Sequence, residues 1–343
     1  TSREEVSMPP FDRRGFLHST AAGAAAGILG AGAPRADETP PWVGWVRSYM
    51  KKPVKLAITC YNTTAPYYTP TRIGVQDAGA QLGVEVLWTG VPDGDTVAQI
   101  AQFRQLVATG YQGIAVIPVE PDAWIAPIKH AIEQGIVVVC TNSDSPDSGR
   151  ELFFGQDLVG AAEAQGQMLA KLAGGRGTVA MTNCAPGMLA LDRRIEGAKK
   201  GVTAGGLEIV GVFNTDPSDM GSDRSTIRDI ARSHPNLTAM MPLCGQDTAA
   251  AGLVKQEMKA QWPIVGTDLI YQTLEMIRDG VIDGTVGQEP YLQGYLPIMH
   301  LYQRVALNGP KLNLPGGNYF MADEIVTTEN VAEYLEREKR FAG

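Results

Sequence analysis

The sequence is short of charge, and the charge it has leans acidic. Charged residues make up 19% of its 343 residues, with 29 Lys and Arg against 37 Asp and Glu, a net charge of −8. Nucleic acid and anionic lipid both require a basic face, so neither is expected as a partner. Cysteine is scarce too. Cys60, Cys140, Cys184 and Cys244 include no CxxC pair, which argues against a zinc knuckle or a thioredoxin-like centre. Each ends an apolar run, where a small thiol packs well, so four free core cysteines are expected. A Cys184–Cys244 bond would need neighbouring strands, which the sequence leaves open. After residue 36 no apolar run is long enough to span a bilayer. Neither a GxSxG elbow nor an HExxH motif occurs, and His130, His234 and His300 are scattered over helical stretches, so no enzyme is expected. "AGGRGT" (173–178) joins a helical run to a strand run and reads as a turn, not a phosphate loop. No metal and no cofactor are expected.

What is present begins with an N-terminal oddity. Arg13 and Arg14 precede "GFLH" and a run from Ala21 to Ala33 in which only Ile28 and Leu29 are large apolar residues. The run is about half the length of a membrane helix, and glycine at roughly 1 kcal/mol per interior position makes it a poor structural helix. A charged start, a weakly apolar middle and small residues at Ala31, Gly32 and Ala33 form the layout of an export signal. "RRGFLH" is similar to the twin-arginine type, with Asp12 and His18 departing from its usual flanks. Residues 1–36 are therefore expected to be removed on export, with cleavage between Ala33 and Asp37, leaving a periplasmic protein. Residues 37–53 form a proline-containing lead-in, with Trp42 and Trp45 expected to pack outside the first lobe.

The rest of the chain alternates. Nearly all-apolar runs occur at Val54–Cys60, Val84–Trp88, Gly113–Ile117 and Ile136–Cys140, with amphipathic stretches such as Thr96–Thr109 and Asp122–Gln134 between them. The pattern restarts with runs at Thr178–Thr182, Glu208–Phe213, Ala239–Leu243 and Ile264–Gly266. Helical stretches Gly160–Ala173, Asp192–Ala204, Ser222–Ser233 and Thr248–Lys259 separate them. Alternation of this kind predicts an α/β fold of two doubly wound parallel-sheet lobes. Ligands of such sheets bind beyond the carboxyl ends of the strands, so the residues after each strand run carry the functional information. The first run is followed by Tyr61, Tyr67 and Tyr68, whose flat faces suit the C–H face of a sugar ring. Asn142 and Asp144 follow the fourth, two apart and so on one side of an extended chain. Asp192 opens a helix after the fifth, Gln246 and Asp247 follow the seventh, Asp268 follows the eighth, and "GTVGQEP" supplies Gln288. Carboxylates accept hydroxyl protons and amides both give and take, which fits a polyol.

Several of these segments resemble the periplasmic sugar-binding proteins of the ribose-binding type, which feed ABC importers. "GYQGIAVIPVEPDAW" is similar to the family's third strand and Pro-x-x-Pro-Asp turn, and "GIVVVCTNSDSPDS" to its fourth strand and polar loop. "FFGQDLVGAAEAQGQML", "DRRIEGAKKGV", "VGTD" and "YFMADEIVTTENVAEYL" follow in the family's order, so the resemblance spans residues 54 to 335. It implies a three-crossing hinge near Gln156–Asp157, Gln288–Glu289 and Pro315–Ala322. Lobe 1 would take 54–156 and 289–315, and lobe 2 would take 157–288 and 316–343. The implied ligand contacts are Tyr61, Tyr67, Tyr68, Asn142, Asp144, Asp192, Gln246, Asp268 and Gln288. Ribose-type relatives often carry an arginine where Asp192 stands and an Asp-Arg pair where this chain has Ser143-Asp144. Without those arginines the cleft is expected to take a neutral monosaccharide or sugar alcohol, with other pentoses, hexoses or polyols favoured over ribose. The implied partner is an inner-membrane ABC permease, with the protein a monomer; the alternative is a sensory receptor partner that reports a furanose-type signal.

Overall fold

The computed structural model describes residues 54–216 and 219–341. The export-signal reading of 1–36 and the lead-in at 37–53, Trp42 and Trp45 included, lie outside the described residues.

The first series of elements runs β1 (Leu56–Cys60), α1 (Thr69–Leu82), β2 (Val86–Gly90), α2 (Thr96–Ala108), β3 (Gly113–Val116), α3 (Pro121–Glu133), β4 (Val137–Thr141) and β5 (Phe153–Gln156). The second runs α4 (Leu158–Leu172), β6 (Thr178–Asn183), α5 (Leu189–Ala204), β7 (Glu208–Asn214), α6 (Met220–Ser233), β8 (Leu237–Pro242), α7 (Gly245–Met258), β9 (Val265–Thr267), α8 (Tyr271–Arg278) and β10 (Gly284–Gly287). The chain closes with α9 (Pro290–Val305), β11 (Asn318–Met321), β12 (Glu324–Val326) and α10 (Val331–Glu338). The eight predicted strand runs all form strands, displaced by at most two residues at either end.

The first sheet has six parallel strands in the order β11-β5-β4-β3-β1-β2. Its central strands carry apolar side chains on both faces because both are covered. On one face Leu56 and Ile58 meet Val75, Ala78, Ile298 and Leu301 of α1 and α9. On the other, Ala57 and Ile114 meet Phe103, Trp124 and Ile128 of α2 and α3. In the second half the strands form two three-stranded pieces, β7-β6-β8 and β12-β10-β9, joined by a single bridge between Met240 and Ile264. Only the β10–β12 pairing is antiparallel among the described pairs. Both halves bring two helices close through glycine. A Cβ on Gly294 of α9 would lie 2.0 Å from the Thr71 carbonyl oxygen of α1, and one on Gly201 of α5 would lie 2.1 Å from that of Glu163 in α4.

Two sequence expectations change. β11 pairs with β5, so residues 318–321 join the first sheet, whereas 316–343 was expected to belong with the second lobe. The last passage between the halves is therefore the two-residue link Ala322–Asp323. Cys184 and Cys244, expected to be free, form a disulfide with Cα atoms 6.2 Å apart; Cys60 and Cys140 are free and buried. The bond forms because β6 and β8 are adjacent and both cysteines leave at their carboxyl ends.

Candidate functional site

A cavity of about 260 Å³ opens where the strand ends of both halves meet. That is just below the usual range for ligand pockets, ~300–1,000 Å³, and suits a small molecule. Tyr61 and Asn62 reach it from the end of β1, Asp93 and Gly94 from beyond β2, and Asn142 from β4. From the second half come the Cys184–Cys244 disulfide, Gln246 at the start of α7, Asp268 after β9 and Gln288 after β10. Every one of these groups sits beyond a strand's carboxyl end.

The tyrosines are held by one another and by burial. Tyr68 packs edge-on to Tyr61 and Tyr67, with ring centroids 5.7 and 5.0 Å away. A proline-led 3₁₀ turn, Pro66–Tyr68, presents the second and third rings, and α1 follows it directly. Burial pushes all three phenols above their ordinary range, so they stay protonated. Each hydroxyl can therefore donate.

Asn142 and Asp268 mark the two sides of the cavity, and both have left-handed backbones, with φ of 63° and 66°. Asn and Asp tolerate that region better than other side chains bearing a Cβ. Asn142 accepts from the Tyr68 hydroxyl at 2.9 Å and donates to Tyr67 at 3.1 Å. Asp268 accepts from the Gln288 amide at 2.9 Å, and its carbonyl accepts from Thr285 at 2.8 Å. Gln246 donates to Asp223 at 3.0 Å.

Seven of the nine expected contacts thus line the cavity: Tyr61, Tyr67, Tyr68, Asn142, Gln246, Asp268 and Gln288. Asp144 does not. The left-handed turn at Asn142 breaks the extended alternation, and both Asp144 carboxylate oxygens are taken by Arg150, at 2.8 and 2.6 Å. It faces a neighbouring depression lined by Phe153, Arg193 and Phe320. Asp192 also stands outside, exposed in the first turn of α5. The helix begins at Leu189, three residues earlier than expected, so Leu191 and Arg194, three apart on one face, look into the cavity.

Arg194 corrects the expectation of a cleft without arginine. It is buried at 6% exposure and donates to the Leu243 carbonyl at 2.7 Å. Its positive charge and the Asp268 carboxylate leave the buried lining close to neutral. The sequence signal for Arg194 was present in "DRR", but the choice among the three depended on the helix start. Asp247 is not a ligand group either. It is wholly buried, and one of its oxygens accepts from Thr182 and Thr215, at 2.5 and 2.8 Å.

Residues 56–310 match the model of the periplasmic binding protein domain. The xylose/arabinose-binding protein of Sulfolobus acidocaldarius is 28% identical over 372 aligned positions, covering 96% of this chain and 89% of that protein. A solute-binding protein of an ABC transporter from Burkholderia graminis, solved in complex with D-arabinose, superposes with a TM-score of 0.76 at 25% identity, covering 82% of this chain and 98% of its own. A carbohydrate transporter protein from Acidothermus cellulolyticus, solved with myo-inositol, shares the fold with a TM-score of 0.77 at 23% identity, covering 85% and 100%.

Proposed function

We infer that this chain, which belongs to the periplasmic binding protein family, captures one neutral monosaccharide or sugar alcohol in the cavity between its halves and delivers it to an ABC importer. The observation that carries this reading is the convergence of tyrosine hydroxyls, an amide, a carboxylate and a guanidinium from both halves on one small cavity. Hydroxyls of a polyol satisfy such groups, and a ligand lacking one leaves a buried partner unpaired, at about 1–3 kcal/mol each. The names of the relatives, a xylose/arabinose binder and a D-arabinose complex, point to the same ligand class.

In this reading the halves are lobes that rotate about the three chain passages, after β5, β10 and β11. Both lobes contribute contacts, so the ligand binds the closed form better than the open one and shifts the population toward it. The closed shape of the monomer is what an inner-membrane permease recognises. The family's description supports a place outside the cytoplasm, to which "RRGFLH" at residues 13–18 would direct the protein.

Isothermal titration with D-arabinose, D-xylose, D-ribose and myo-inositol tests the proposal. Saturable heat with a pentose or polyol, lost in Asp268→Ala, is the expected result. No heat with any of the four, or heat unchanged in Asp268→Ala, overturns it.

A further inference from the structure

Five polar side chains form one unbroken line of hydrogen bonds from the first half to the second, and its middle member does not line the cavity. The Tyr68 hydroxyl donates to Asn142 Oδ1 at 2.9 Å. Asn142 Nδ2 donates to Gln293 Oε1 at 2.9 Å. Gln293 Nε2 donates to Gln288 Oε1, and Gln288 Nε2 to Asp268 Oδ1, each at 2.9 Å. Gln293 projects from the first turn of α9, is wholly buried, and has its backbone carbonyl held by the Thr141 hydroxyl at 2.7 Å.

The direction of this line is set from one end. An ionised carboxylate only accepts, so Gln288 must turn its NH₂ toward Asp268 and its oxygen toward Gln293. Gln293 must then present its NH₂ to Gln288 and its oxygen to Asn142. Asn142 in turn must spend one N–H on Gln293; the other goes to Tyr67 at 3.1 Å. With both N–H groups taken, the amide of Asn142 meets a ligand only through its oxygen. Asp268 likewise offers only oxygen. At Asn142 and Asp268 the two sides of the cavity therefore present acceptors, fixed before any ligand arrives.

Building on the sugar-binding reading, we propose that Gln293 is a positioning residue for specificity: it carries the acceptor-only character of Asp268 across to Asn142, so that at these two positions the site selects ligand groups that donate, namely free hydroxyls, over ethers, fluorides and carbonyls. Without the relay, Asn142 is free to flip and accept or donate at will, and the first half loses its discrimination. Burial alone gives Gln293 a structural role; the relay adds a direction, and the direction is what can be measured.

The first test needs no ligand. The side-chain NH₂ resonances of Asn142 are followed by NMR, assigned by their loss in Asn142→Ser. Asp268→Asn is expected to shift them in the otherwise native protein and to leave them unmoved when Gln293→Met is also present. Gln293→Glu, of the same size, keeps an acceptor for Asn142 but loses the donor to Gln288, and should insulate Asn142 in the same way if the methionine variant fails to fold. A response of Asn142 to Asp268→Asn that is the same with and without Gln293, or absent in both, overturns the relay. The second test titrates a sugar that binds and its monodeoxyfluoro analogues, in which fluorine accepts but cannot donate. At the hydroxyl facing Asn142 the native protein should reject the analogue by about tenfold, and Gln293→Met should erase that preference. Weaker binding with the preference intact would reduce Gln293 to packing and overturn the proposal. Failure of every sugar to bind would remove the functional reading while the NMR result still decides the relay.

Discussion

The two halves build one cavity from different materials. The first contributes three tyrosines locked edge to face, Asn62, Asn142 and, at the exposed rim, Asp93, on a continuous six-stranded sheet. The second contributes Arg194, Asp268 and a disulfide, on a sheet broken into two three-stranded pieces. The first half's buried lining is uncharged and fixes shape; the second half's buried lining is ionic, and β6 and β8 are stitched together covalently at their carboxyl ends. Their buried ionisable groups differ as well. In the first half, burial pushes Glu151 up, but hydrogen bonds from His300 and Arg304 outweigh it and hold the carboxyl down at about 2. In the second, burial pushes Asp247 up to about 7, with two threonine hydroxyls opposing too weakly to restore it.

Removing the staple should widen this contrast most. Cys184→Ala with Cys244→Ala frees a separation of 60 residues, for which loop-closure entropy gives a loss of about 4 kcal/mol. Hydrogen exchange should show β6 and β8 losing protection while β1 and β3 keep theirs; equal loss in both halves would refute the division. The pH dependence follows in size. Asp247 holds its proton more tightly folded than unfolded, so the stability of the second half falls as pH rises from about 3.8 to about 7 and levels off above that. Asp247→Asn should abolish that slope and raise stability at pH 8 by about 1–3 kcal/mol, with little change at pH 4, as read from denaturant midpoints. Glu151 acts with the opposite sign. Its contribution is complete above about 4.5 and disappears as pH falls through about 2, so Glu151→Gln should cost about 1–3 kcal/mol at pH 7 and nothing at pH 2. A loss independent of pH would separate Glu151 from its partners' charge. The smallest effect concerns the aromatic wall. Tyr68→Phe keeps the ring contacts and deletes the bond to Asn142, so affinity for a bound sugar should drop about fivefold by calorimetry, or about 1 kcal/mol. Unchanged affinity would make the hydroxyl incidental.

Much of the architecture was legible because doubly covered strands leave uninterrupted apolar runs; "LAITC" and "VVVCT" announce β1 and β4 without help from the fold. β5, "FFGQ", is four residues long and looks like a loop until β4 and β11 pair with it. β11 carries exposed Tyr319 and Phe320 on an edge, so its sequence gives no sign of which sheet it joins. At the site, residues that directly follow a strand were found because position alone identifies them. Asp144 and Asp192 were misplaced for one shared reason. Side-chain direction there depends on a backbone turn at Asn142 and on the first residue of α5, and neither follows from residue type. Gln293 was invisible because a glutamine in an amphipathic helix reads as surface until its neighbours are known.

The left-handed conformations of Asn142 and Asp268 set a limit on how comfortable this molecule can become. Such a conformation costs a residue with a Cβ of the order of 1 kcal/mol or more, and glycine would remove the cost. Selection for heat resistance alone should therefore drift toward glycine at both places and yield a sturdier protein with nothing to grip. That both positions still hold polar side chains is the mark of a fold kept for its work and not for its endurance.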